Sequence, residues 1–588
     1  MNLSTTLAQL ETEHLLRRLS EPDLAYLFKH TLTQETAYQS LLRENRREIH
    51  RRVAKAYEQI YANALDDHAA ILATHFAAAD DDAKTYAYSL RAGDAAARKY
   101  ANAEAILHYA RAAEIAKTAP DPVMAIPIAE LFLKLGRVYE ISSRHTDALR
   151  VYDDMLTLAK TRSDRALELA ALVARTTLHS APTSLFDPEK ATAIAEQARG
   201  LARALDDKKA EAKILWNLSL LNGMAGHREN AVTFGEQALA IARSNNLREQ
   251  TAYTLTDIYR AYVSNGQMRR SLAALEEARA LWRELDNQPM LADTLSSTTM
   301  LHYFAGNYAE SVAFHYQALE LAERIDNLWN QSFSRHSVGN VFFEQGDPAH
   351  AIETMEKSIH FGQQAGFIVP EIWTQADLAW VWAQLGQFER AEKYAQAAQA
   401  KAEANFQRWR PNTFATLARI ETARGNVAQA HEYLHQAKVI FDPEEFIWAG
   451  EFHLSLTEME FEMARGDFAR TIELAEKLIV REQAMEFGFS THPAQCLRGQ
   501  ALLALNRLEE AGAALAEALL LAETRGSKWI AWQVCAAQSE LQTRLGNRAA
   551  AAELRARARD IITGIAQKTP ADARASFLNL PKVRAVMN

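Results

Sequence analysis

The sequence is poor in cysteine and contains no long apolar run. Its 588 residues include two cysteines, Cys496 and Cys535, too few for the disulfide framework of a small secreted domain. No segment approaches the roughly 18 uncharged apolar residues that a membrane-spanning helix needs. The amino-terminal stretch MNLSTTLAQLETEH lacks the basic and apolar regions of a secretory signal. These absences predict a cytoplasmic protein that contacts no membrane.

The charge balance disfavours nucleic acid as the main partner. The chain has 65 basic and 74 acidic side chains and a formal charge of −9, which opposes non-specific binding to phosphate backbones. Two arginine clusters, near the two ends, are interleaved with acidic residues at helical spacing, as is common on ion-paired surface helices. The clusters are Arg43, Arg46, Arg47, Arg51 and Arg52 with Glu44 and Glu48, and Arg548, Arg555, Arg557 and Arg559 with Glu553 and Asp560.

A turn residue recurs along most of the chain with a period of about 40 residues, within the range of known helical repeats. The strong positions are Gly226, Gly266, Gly306, Gly346, Gly386, Gly425, Gly466, Asn506 and Gly546. Weaker positions at Phe186, Ser143 and Tyr100, each 43 residues apart, extend the series backwards. Twelve repeats then cover about residue 83 to residue 565. Self-similarity at such a period is the signature of a stacked repeat architecture.

Small side chains follow each turn at a fixed distance. Five residues after the turn stand Ala105, Ala148, Ala191, Ala231, Ser271, Ser311, Ala351, Ala391, Ala430, Thr471, Ala511 and Ala551. Seven residues further on, nine of the twelve positions are alanine, Ala238, Ala278, Ala318, Ala398 and Ala518 among them. Glycine or asparagine supplies the left-handed conformation that ends a helix, and small residues let two helix backbones approach closely. Each repeat is therefore predicted to be a helical hairpin.

The hairpins are expected to stack into an all-α solenoid. Apolar residues recur at spacings of three and four, as in residues 231–242 and 311–322, which is typical of amphipathic helices. No segment alternates for long enough to predict a sheet. Since one hairpin cannot cover its own apolar face, neighbours must stack. The sequence predicts a right-handed superhelical solenoid of about twelve helix-turn-helix repeats with a concave inner surface.

Several of these residues resemble the tetratricopeptide repeat superfamily. Leu135-Gly136-Arg137-Val138-Tyr139, followed by Ala148 and Tyr152, is similar to its Leu-Gly…Tyr…Ala…Phe pattern, and Val338-Gly339 with Gly346 and Ala351 matches it again. The usual period of that superfamily is about 34 residues. The longer period of this chain, with longer helices, looks more like the sensor domain of the maltose-regulon activator and of related signal-transduction ATPases, the STAND proteins.

The two ends of the chain extend this likeness. Residues 26–42, 46–50 and 68–76 resemble the segment that joins a winged-helix region to the repeats in cyclase-linked and LuxR-type STAND regulators, and residues 577–584 resemble their carboxyl terminus. No GxxxxGK[ST] motif and no Gly-Lys dipeptide is present, so the phosphate-binding loop of those ATPases is absent. The resemblance implies an amino-terminal cap at residues 1–80, a solenoid at 81–565 and a carboxyl-terminal cap at 566–588. It also implies either a free-standing repeat protein or the sensor of a longer regulator.

The central repeats are candidates for a binding groove. Residues 301–382 contain 14 aromatic residues and five histidines, against 9% aromatic residues overall; packing between long helices is the alternative explanation. By analogy with tetratricopeptide grooves, positions thirteen, ten, six, three and two before each turn should line the concave side. Twelve residues are selected on this basis: Trp216, Tyr253, Arg260, Asp293, Met300, Tyr303, Phe333, His336, Asn340, Trp373, Trp380 and Arg419. A mixture of aromatic and polar groups suits a peptide or small ligand.

One string has the form of a zinc site. His431-Glu432-Tyr433-Leu434-His435 is an HExxH sequence, in which two histidines could hold zinc beside a general base. The string follows Ala430 in repeat register, so both histidines are predicted to face outward, and the third ligand would have to be Glu458 or Glu462. A solvated polar face is the favoured interpretation, and Cys496 and Cys535 are explained as small buried thiols.

The sequence therefore favours a non-enzymatic module without a cofactor. The leading hypothesis is a scaffold that captures a protein or peptide in its groove, with an ATPase, cyclase or regulator module as one class of partner. The first alternative is the sensor of a STAND-type regulator that binds a small-molecule effector. The second, disfavoured alternative is a zinc-dependent hydrolase built on His431, Glu432 and His435.

Overall fold

The computed structural model describes residues 3–19, 25–99, 101–118, 127–181, 183, 185–442 and 448–588. The described chain is helical almost throughout, and it divides into two compact units, Met1–Ser142 and Ser143–Asn588. No helix in the described ranges combines the length and the apolar character needed to cross a bilayer.

The first unit contains seven helices and one short hairpin in its described part. The elements are α1 (Leu3–Thr12), β1 (Leu16–Leu19), β2 (Ala25–Phe28), α2 (Thr31–Ser40), α3 (Arg43–Ile60), α4 (Ala69–Ala78), α5 (Asp82–Arg98), α6 (Asn102–Thr118) and α7 (Ile128–Ile141). Strands β1 and β2 pair antiparallel, with Leu16 opposite Phe28. The expectation of no sheet was wrong here, because strands of four residues are too short to show alternation.

The second unit is a series of stacked helical hairpins. Its helices are α8 (His145–Arg162), α9 (Arg165–Ser180), α10 (Pro188–Ala204), α11 (Lys208–Met224), α12 (Arg228–Ser244), α13 (Arg248–Ser264), α14 (Met268–Glu284), α15 (Gln288–Phe304), α16 (Tyr308–Arg324), α17 (Leu328–His336), α18 (Val338–Glu344), α19 (Pro348–Ala365), α20 (Gln375–Gln384), α21 (Phe388–Asn405), α22 (Arg410–Arg424), α23 (Val427–Ile440), α24 (Trp448–Arg465), α25 (Phe468–Ala484), α26 (Thr491–Ala504), α27 (Leu508–Arg525), α28 (Lys528–Arg544), α29 (Arg548–Gln567), α30 (Ala571–Asn579) and α31 (Pro581–Met587). A π-helical turn at Pro370–Thr374 precedes α20, and a 3-10 turn at Gln407–Trp409 precedes α22. The predicted all-α solenoid is confirmed.

The predicted turn residues end the first helix of each hairpin. All eight predicted glycines have positive φ, as does Asn506 at 59°. At Gly266 the glycine amide donates to the carbonyl of Val263, and the amide of Gln267 donates to that of Tyr262, the Schellman pattern that satisfies the last carbonyls of a helix. Ser143 also has positive φ, whereas Phe186 does not, and Tyr100 lies outside the described residues.

The small residues lie at the contact between the two helices of a hairpin. All twelve residues that stand five positions after the turn are buried, from Ala105 to Ala551. The alanines seven positions further on, such as Ala318, are buried as well. The recurring small residues therefore lie where the two helices of a hairpin approach closely, as predicted.

Enlarging one of these alanines tests the packing. Ala318→Leu is expected to destabilise the fold by about 1–3 kcal/mol, because a larger side chain must displace close-packed neighbours. Ala313 lies on the exposed side of the same helix, so Ala313→Leu should change stability by less than about 0.5 kcal/mol. Chemical denaturation followed by circular dichroism measures both. Equal effects of the two substitutions would contradict this packing.

The first helices of the hairpins form the inner layer of the second unit. Helix α13, a first helix, buries eleven of its residues, whereas its predecessor α12, a second helix, buries five. First helices pack against second helices on one side and against neighbouring first helices along the stack. Their remaining face is turned to the interior of the unit.

Successive superhelical turns of the second unit lie against each other. Arg269 Nε donates to Glu486 at 2.8 Å, and Lys568 Nζ donates to Asp347 at 2.8 Å; these pairs are 217 and 221 residues apart. Aromatic contacts accompany them, including Phe343 with Trp529 at 4.2 Å between ring centroids. The turn that ends a first helix thus meets a loop that follows a second helix about five and a half repeats later. This tight winding brings inner side chains of different repeats together.

Candidate functional site

The twelve predicted groove residues all lie on first helices or on the π-helical turn before α20. We call this set the inner stripe: Trp216, Tyr253, Arg260, Asp293, Met300, Tyr303, Phe333, His336, Asn340, Trp373, Trp380 and Arg419. Trp216, Tyr303, Phe333, His336 and Trp373 are buried, and the other seven keep part of their surface accessible. The stripe is therefore partly core and partly an accessible interior wall.

At its amino-terminal end the inner stripe carries an ion pair next to aromatic rings. Trp216 Nε1 donates to Asp257 Oδ2 at 3.0 Å, and Arg260 Nη1 donates to Asp257 Oδ1 at 2.6 Å. The ring of Tyr253 lies 5.6 Å from that of Trp216. Burial opposes the charge of Arg260, but the neighbouring Tyr259, Asp257 and Asp293 raise its pKa. The guanidinium stays charged and its side chain is 36% exposed.

The middle of the inner stripe is apolar. Tyr303 contacts Phe489 of the next superhelical turn, with ring centroids 5.5 Å apart. Phe333 meets Phe367 edge to face at 5.7 Å, and Met300 packs beside them. These side chains join the hydrophobic core rather than standing free, so the packing interpretation of the aromatic residues holds in this part.

The first helices depart from α-helical geometry next to His336. Helix α17 ends at His336 and α18 begins at Val338, and the neighbouring first helix opens with the π-helical turn at Pro370–Thr374. His336 Nδ1 lies 2.7 Å from Thr374 Oγ1, so a side-chain hydrogen bond joins the two irregular segments. Such π-turns inside helices are frequent at functional sites.

Beyond His336 the inner stripe consists of a series of polar contacts. Asn340 Nδ2 donates to Asp377 Oδ2 at 2.8 Å. The Arg419 guanidinium carbon lies 3.5 Å from the ring centroid of Trp380, and Arg419 makes two hydrogen bonds to Glu460, at 2.8 and 2.7 Å. A stacked, bidentate arginine is held in a defined orientation. Together these groups present a flat aromatic face beside fixed positive and negative charges.

Side chains from distant elements complete this cluster. Trp373 contacts Trp409 at 5.9 Å and His453 at 6.3 Å between ring centroids. Lys582, on the last helix, donates from Nζ to Gln384 Oε1 at 2.8 Å, and burial lowers its pKa. Elements that are far apart in the sequence therefore build one interior surface.

Titratable groups in the interior have displaced pKa values. Burial lowers the pKa of His336 to about 4. Burial, with the nearby positive charge of Arg419, lowers the pKa of His453 to about 3. Burial raises the pKa of Asp377 to about 6, against the opposing effects of the Asn340 hydrogen bond and Arg419. Near neutral pH the two histidines are uncharged.

These displacements predict that the fold loses stability in mild acid. Histidine titrates near pH 6.5 in an unfolded chain. Between pH 6.5 and about 4, His336 and His453 are therefore protonated in the unfolded state but not in the folded state. The free energy of unfolding then decreases as the pH is lowered. Asp377 acts in the opposite sense between about pH 6 and 4, but two groups outweigh one. Thermal melts should show Tm falling as the pH drops from 7 to 4.5.

A substitution isolates one contribution to this loss. His453→Gln is expected to reduce the fall in Tm, because the buried imidazole that resists protonation is gone. His360 is exposed on α19, and His360→Gln should leave the fall unchanged. A wild-type Tm that is constant across this pH range would contradict the prediction.

Four polar residues of the interior were not among the predicted ones. Asp257 and Asp377 stand nine positions before their turn glycines, a spacing that the groove analogy did not include. His453 and Glu460 stand thirteen and six positions before Gly466, spacings that it did include. Applying the analogy to one further repeat would have found the latter pair.

The HExxH string lies on the outer surface. His431, Glu432 and His435 are exposed, as predicted. Both carboxylates considered as third ligands are engaged elsewhere, Glu458 with Lys438 at 2.9 Å and Glu462 with Arg465 at 2.8 Å. Across the described ranges, no three histidine, cysteine or acidic side chains are grouped so as to hold a metal ion.

The remaining sequence predictions concern cysteines and arginines. Cys496 and Cys535 are buried free thiols, and burial raises the pKa of Cys496 to about 12. In the amino-terminal cluster Arg47 pairs with Asp80, and in the carboxyl-terminal cluster Arg557 pairs with Glu523. Of the interleaved acids, Glu48 pairs with Arg51 at 2.8 Å as predicted, whereas the partners of Arg47 and Arg557 are acids outside the interleaved set.

Comparison with known proteins relates the chain to repeat regulators. The family model of the MalT-like TPR region matches residues 212–527. Regulatory protein RapG of Bacillus subtilis (strain 168) is 24% identical over 247 residues, which are 42% of this chain and 63% of RapG. The chain thus spans just under two thirds of the length of that relative.

Two solved structures have a partial likeness to the chain. A Rap protein complexed with competence and sporulation factor is 14% identical, with a TM-score of 0.45, over 61% of this chain and 99% of the Rap chain. A STAND protein with a tetratricopeptide repeat sensor from Pyrococcus horikoshii is also 14% identical, with a TM-score of 0.43, over 78% of this chain and 61% of that chain.

Proposed function

Because the chain belongs to the family with a MalT-like tetratricopeptide repeat region, we propose that it is a binding scaffold that holds an extended peptide or protein segment along the inner stripe. The proposal gives the chain no catalytic role and no cofactor. A regulator, ATPase or cyclase module would either contain the bound segment or respond to its binding.

The observation that carries this proposal is the composition of the accessible part of the inner stripe. Tyr253, Arg260, Asn340, Trp380 and Arg419 all keep accessible surface, although their helices form the inner layer. Aromatic and arginine side chains are the usual energetic centres of protein interfaces. The charged groups are already oriented by Asp257 and Glu460, so little side-chain freedom is lost on binding.

The geometry limits the shape of the ligand. Inner side chains from different repeats touch, as Trp373 and His453 do, which leaves a narrow interior. The proposal therefore takes an extended segment, rather than a folded domain, as the ligand. RapG is a regulatory protein, and the proposal places this chain in a similar role.

A small-molecule effector is the second candidate, and one cluster favours it. The Trp380 face, the Arg419–Glu460 pair and the Asn340–Asp377 pair lie together at one end of the inner stripe. A compact polar ligand could stack on the indole and bond to these groups without occupying the rest of the stripe.

Selection from a peptide library against the immobilised full chain, followed by thermal melts, tests the proposal. A selected peptide at 100 times its dissociation constant should stabilise the fold by about 2.7 kcal/mol. Sugars and nucleotides are screened in parallel. Stabilisation by a small molecule and by no peptide would support the effector hypothesis instead. Ligand binding that is unchanged by every substitution in the inner stripe would refute both hypotheses.

A further inference from the structure

The contact between superhelical turns has two kinds of surface. One is the row of turns that end the first helices, which we call the upper edge. The other is the row of loops that follow the second helices, which we call the lower edge. At Gly306, for example, a Cβ would lie 2.8 Å from Arg525 Nε and 3.3 Å from the Gly488 carbonyl carbon. The upper edge of one turn therefore fits closely against the lower edge of the next.

Part of the upper edge has no such cover. No atom lies within 4 Å of the position that a Cβ would take at Gly425, Gly466 or Gly546 in the described chain. Gly266, Gly306, Gly346 and Gly386, by contrast, all have atoms of a later repeat at that distance. The turns from Gly425 to Gly546 form a free upper edge.

Leucines at one repeat position show what covering changes. Leu385, Leu505 and Leu545 each stand one residue before the turn residue. Leu385 is 0% exposed, because α30 lies over this turn, where Ser576 Oγ donates to the Leu385 carbonyl. Leu505 and Leu545 are 43% and 50% exposed. At Asn506 and Gly546 the free upper edge thus displays leucines at the position that α30 buries at Gly386, whereas Arg424 and Arg465 occupy that position before Gly425 and Gly466.

The lower edge shows the matching difference. Met485, Leu205 and Leu285 all occupy the first position after a second helix. Met485 is 3% exposed beneath the Gly266 turn, whereas Leu205 and Leu285 are each 38% exposed. The next residue in each loop is acidic with positive φ, as Glu486 is. Glu486 binds Arg269 of the upper edge. The uncovered loops at Leu205 and Leu285, which we call the free lower edge, therefore repeat the features of a loop that makes the contact.

From these matched positions we propose that the free upper edge of one molecule docks on the free lower edge of a second copy, continuing the superhelix from molecule to molecule. The occupant is a second copy because its lower edge carries, at Leu205–Asp206 and Leu285–Asp286, the apolar and acidic pair with which Met485 and Glu486 cover the Gly266 turn within the chain. The contact joins two different surfaces, so it is head to tail and open-ended.

Complementary edge variants test this proposal on the full chain. Leu505→Glu with Leu545→Glu blocks the upper edge, and Leu205→Glu with Leu285→Glu blocks the lower edge. Sedimentation velocity of the wild type should show a mass that rises above 65.8 kDa with concentration. Each double variant alone should stay monomeric, and an equimolar mixture of the two should form a dimer and nothing larger.

Matched controls separate the edges from surface charge in general. Leu520 and Val480 are 64% and 66% exposed on second helices, and their glutamate double variant should associate like the wild type. All the replaced residues are exposed, and circular dichroism melts confirm folding. A wild type that is monomeric at every concentration, an edge variant that still associates alone, or a mixture that remains monomeric would each overturn the proposal.

Discussion

Replacing Trp380 by alanine is expected to weaken binding of a captured segment by at least about 30-fold, the loss typical of a central aromatic anchor. Trp380 offers an accessible indole face and also holds the Arg419 guanidinium 3.5 Å from its ring centroid. Its removal takes away contact area and releases the arginine from its fixed orientation. Fluorescence anisotropy with a library-selected peptide measures the effect.

Controls distinguish this loss from unfolding. Trp380→Phe keeps an aromatic face and should retain part of the affinity, and Arg260→Met keeps the aliphatic stem while removing the charge. Tyr316 is an exposed aromatic residue on the outer helix α16, so Tyr316→Ala should bind normally. Unchanged affinity in Trp380→Ala, with helicity intact, would move the binding site off the inner stripe.

Replacing Gly488 by alanine is expected to destabilise the second unit by about 2–4 kcal/mol, a cost in the range of severe overpacking. The amide of Gly488 donates to the Phe304 carbonyl at 2.9 Å. An added Cβ would lie 2.5 Å from the Ala305 carbonyl oxygen. Because this neighbour is backbone, the two superhelical turns must separate to admit one methyl group. Urea denaturation measures the loss.

Replacing a second glycine is expected to change the stability in the opposite direction. Gly564 lies inside α29, and no atom stands within 4 Å of the position of its Cβ. Gly564→Ala should stabilise the fold by about 0.5–1 kcal/mol through helix propensity alone. If Gly488→Ala were as harmless as Gly564→Ala, the close contact between the turns would not exist.

The repeat itself could be predicted because its causes are local. A glycine such as Gly266 ends a helix through its own backbone, and Ser271 must be small because the partner helix lies directly against it. Both requirements recur once in every repeat, and both are visible as residue types. The hairpins, their turns and the buried small residues followed from these positions.

The contacts between superhelical turns could not be predicted in this way. They depend on a small rotation from each repeat to the next, accumulated over five and a half repeats. No residue type encodes that rotation, and Arg269 and Glu486 are ordinary surface residues in the sequence. The short hairpin formed by β1 and β2 could not be predicted for another reason. Its strands have four residues each, which is too few to show an alternation of apolar and polar side chains.

The candidate site in the interior was predictable in outline only. Spacing from the turn glycine identifies the face of the first helix that points inward, so Trp380 and Arg419 could be selected. Whether such a residue stays accessible or joins the core depends on side chains that other repeats place against it. Phe489 of the next superhelical turn packs on Tyr303, and aromatic residues of neighbouring repeats pack on Trp373 and Phe333, so these three are buried while Trp380 is not.

The distance between residues 269 and 486 tests the stacking of superhelical turns most directly. Spin labels on Arg269→Cys and Glu486→Cys can be measured by electron paramagnetic resonance, because Cys496 and Cys535 are buried. The structure brings these two side chains within 2.6 Å of each other, so the labels should lie less than about 20 Å apart. In an open ribbon with helices packed 8–10 Å apart, five and a half repeats would place them about 50 Å apart, and that distance would contradict the account.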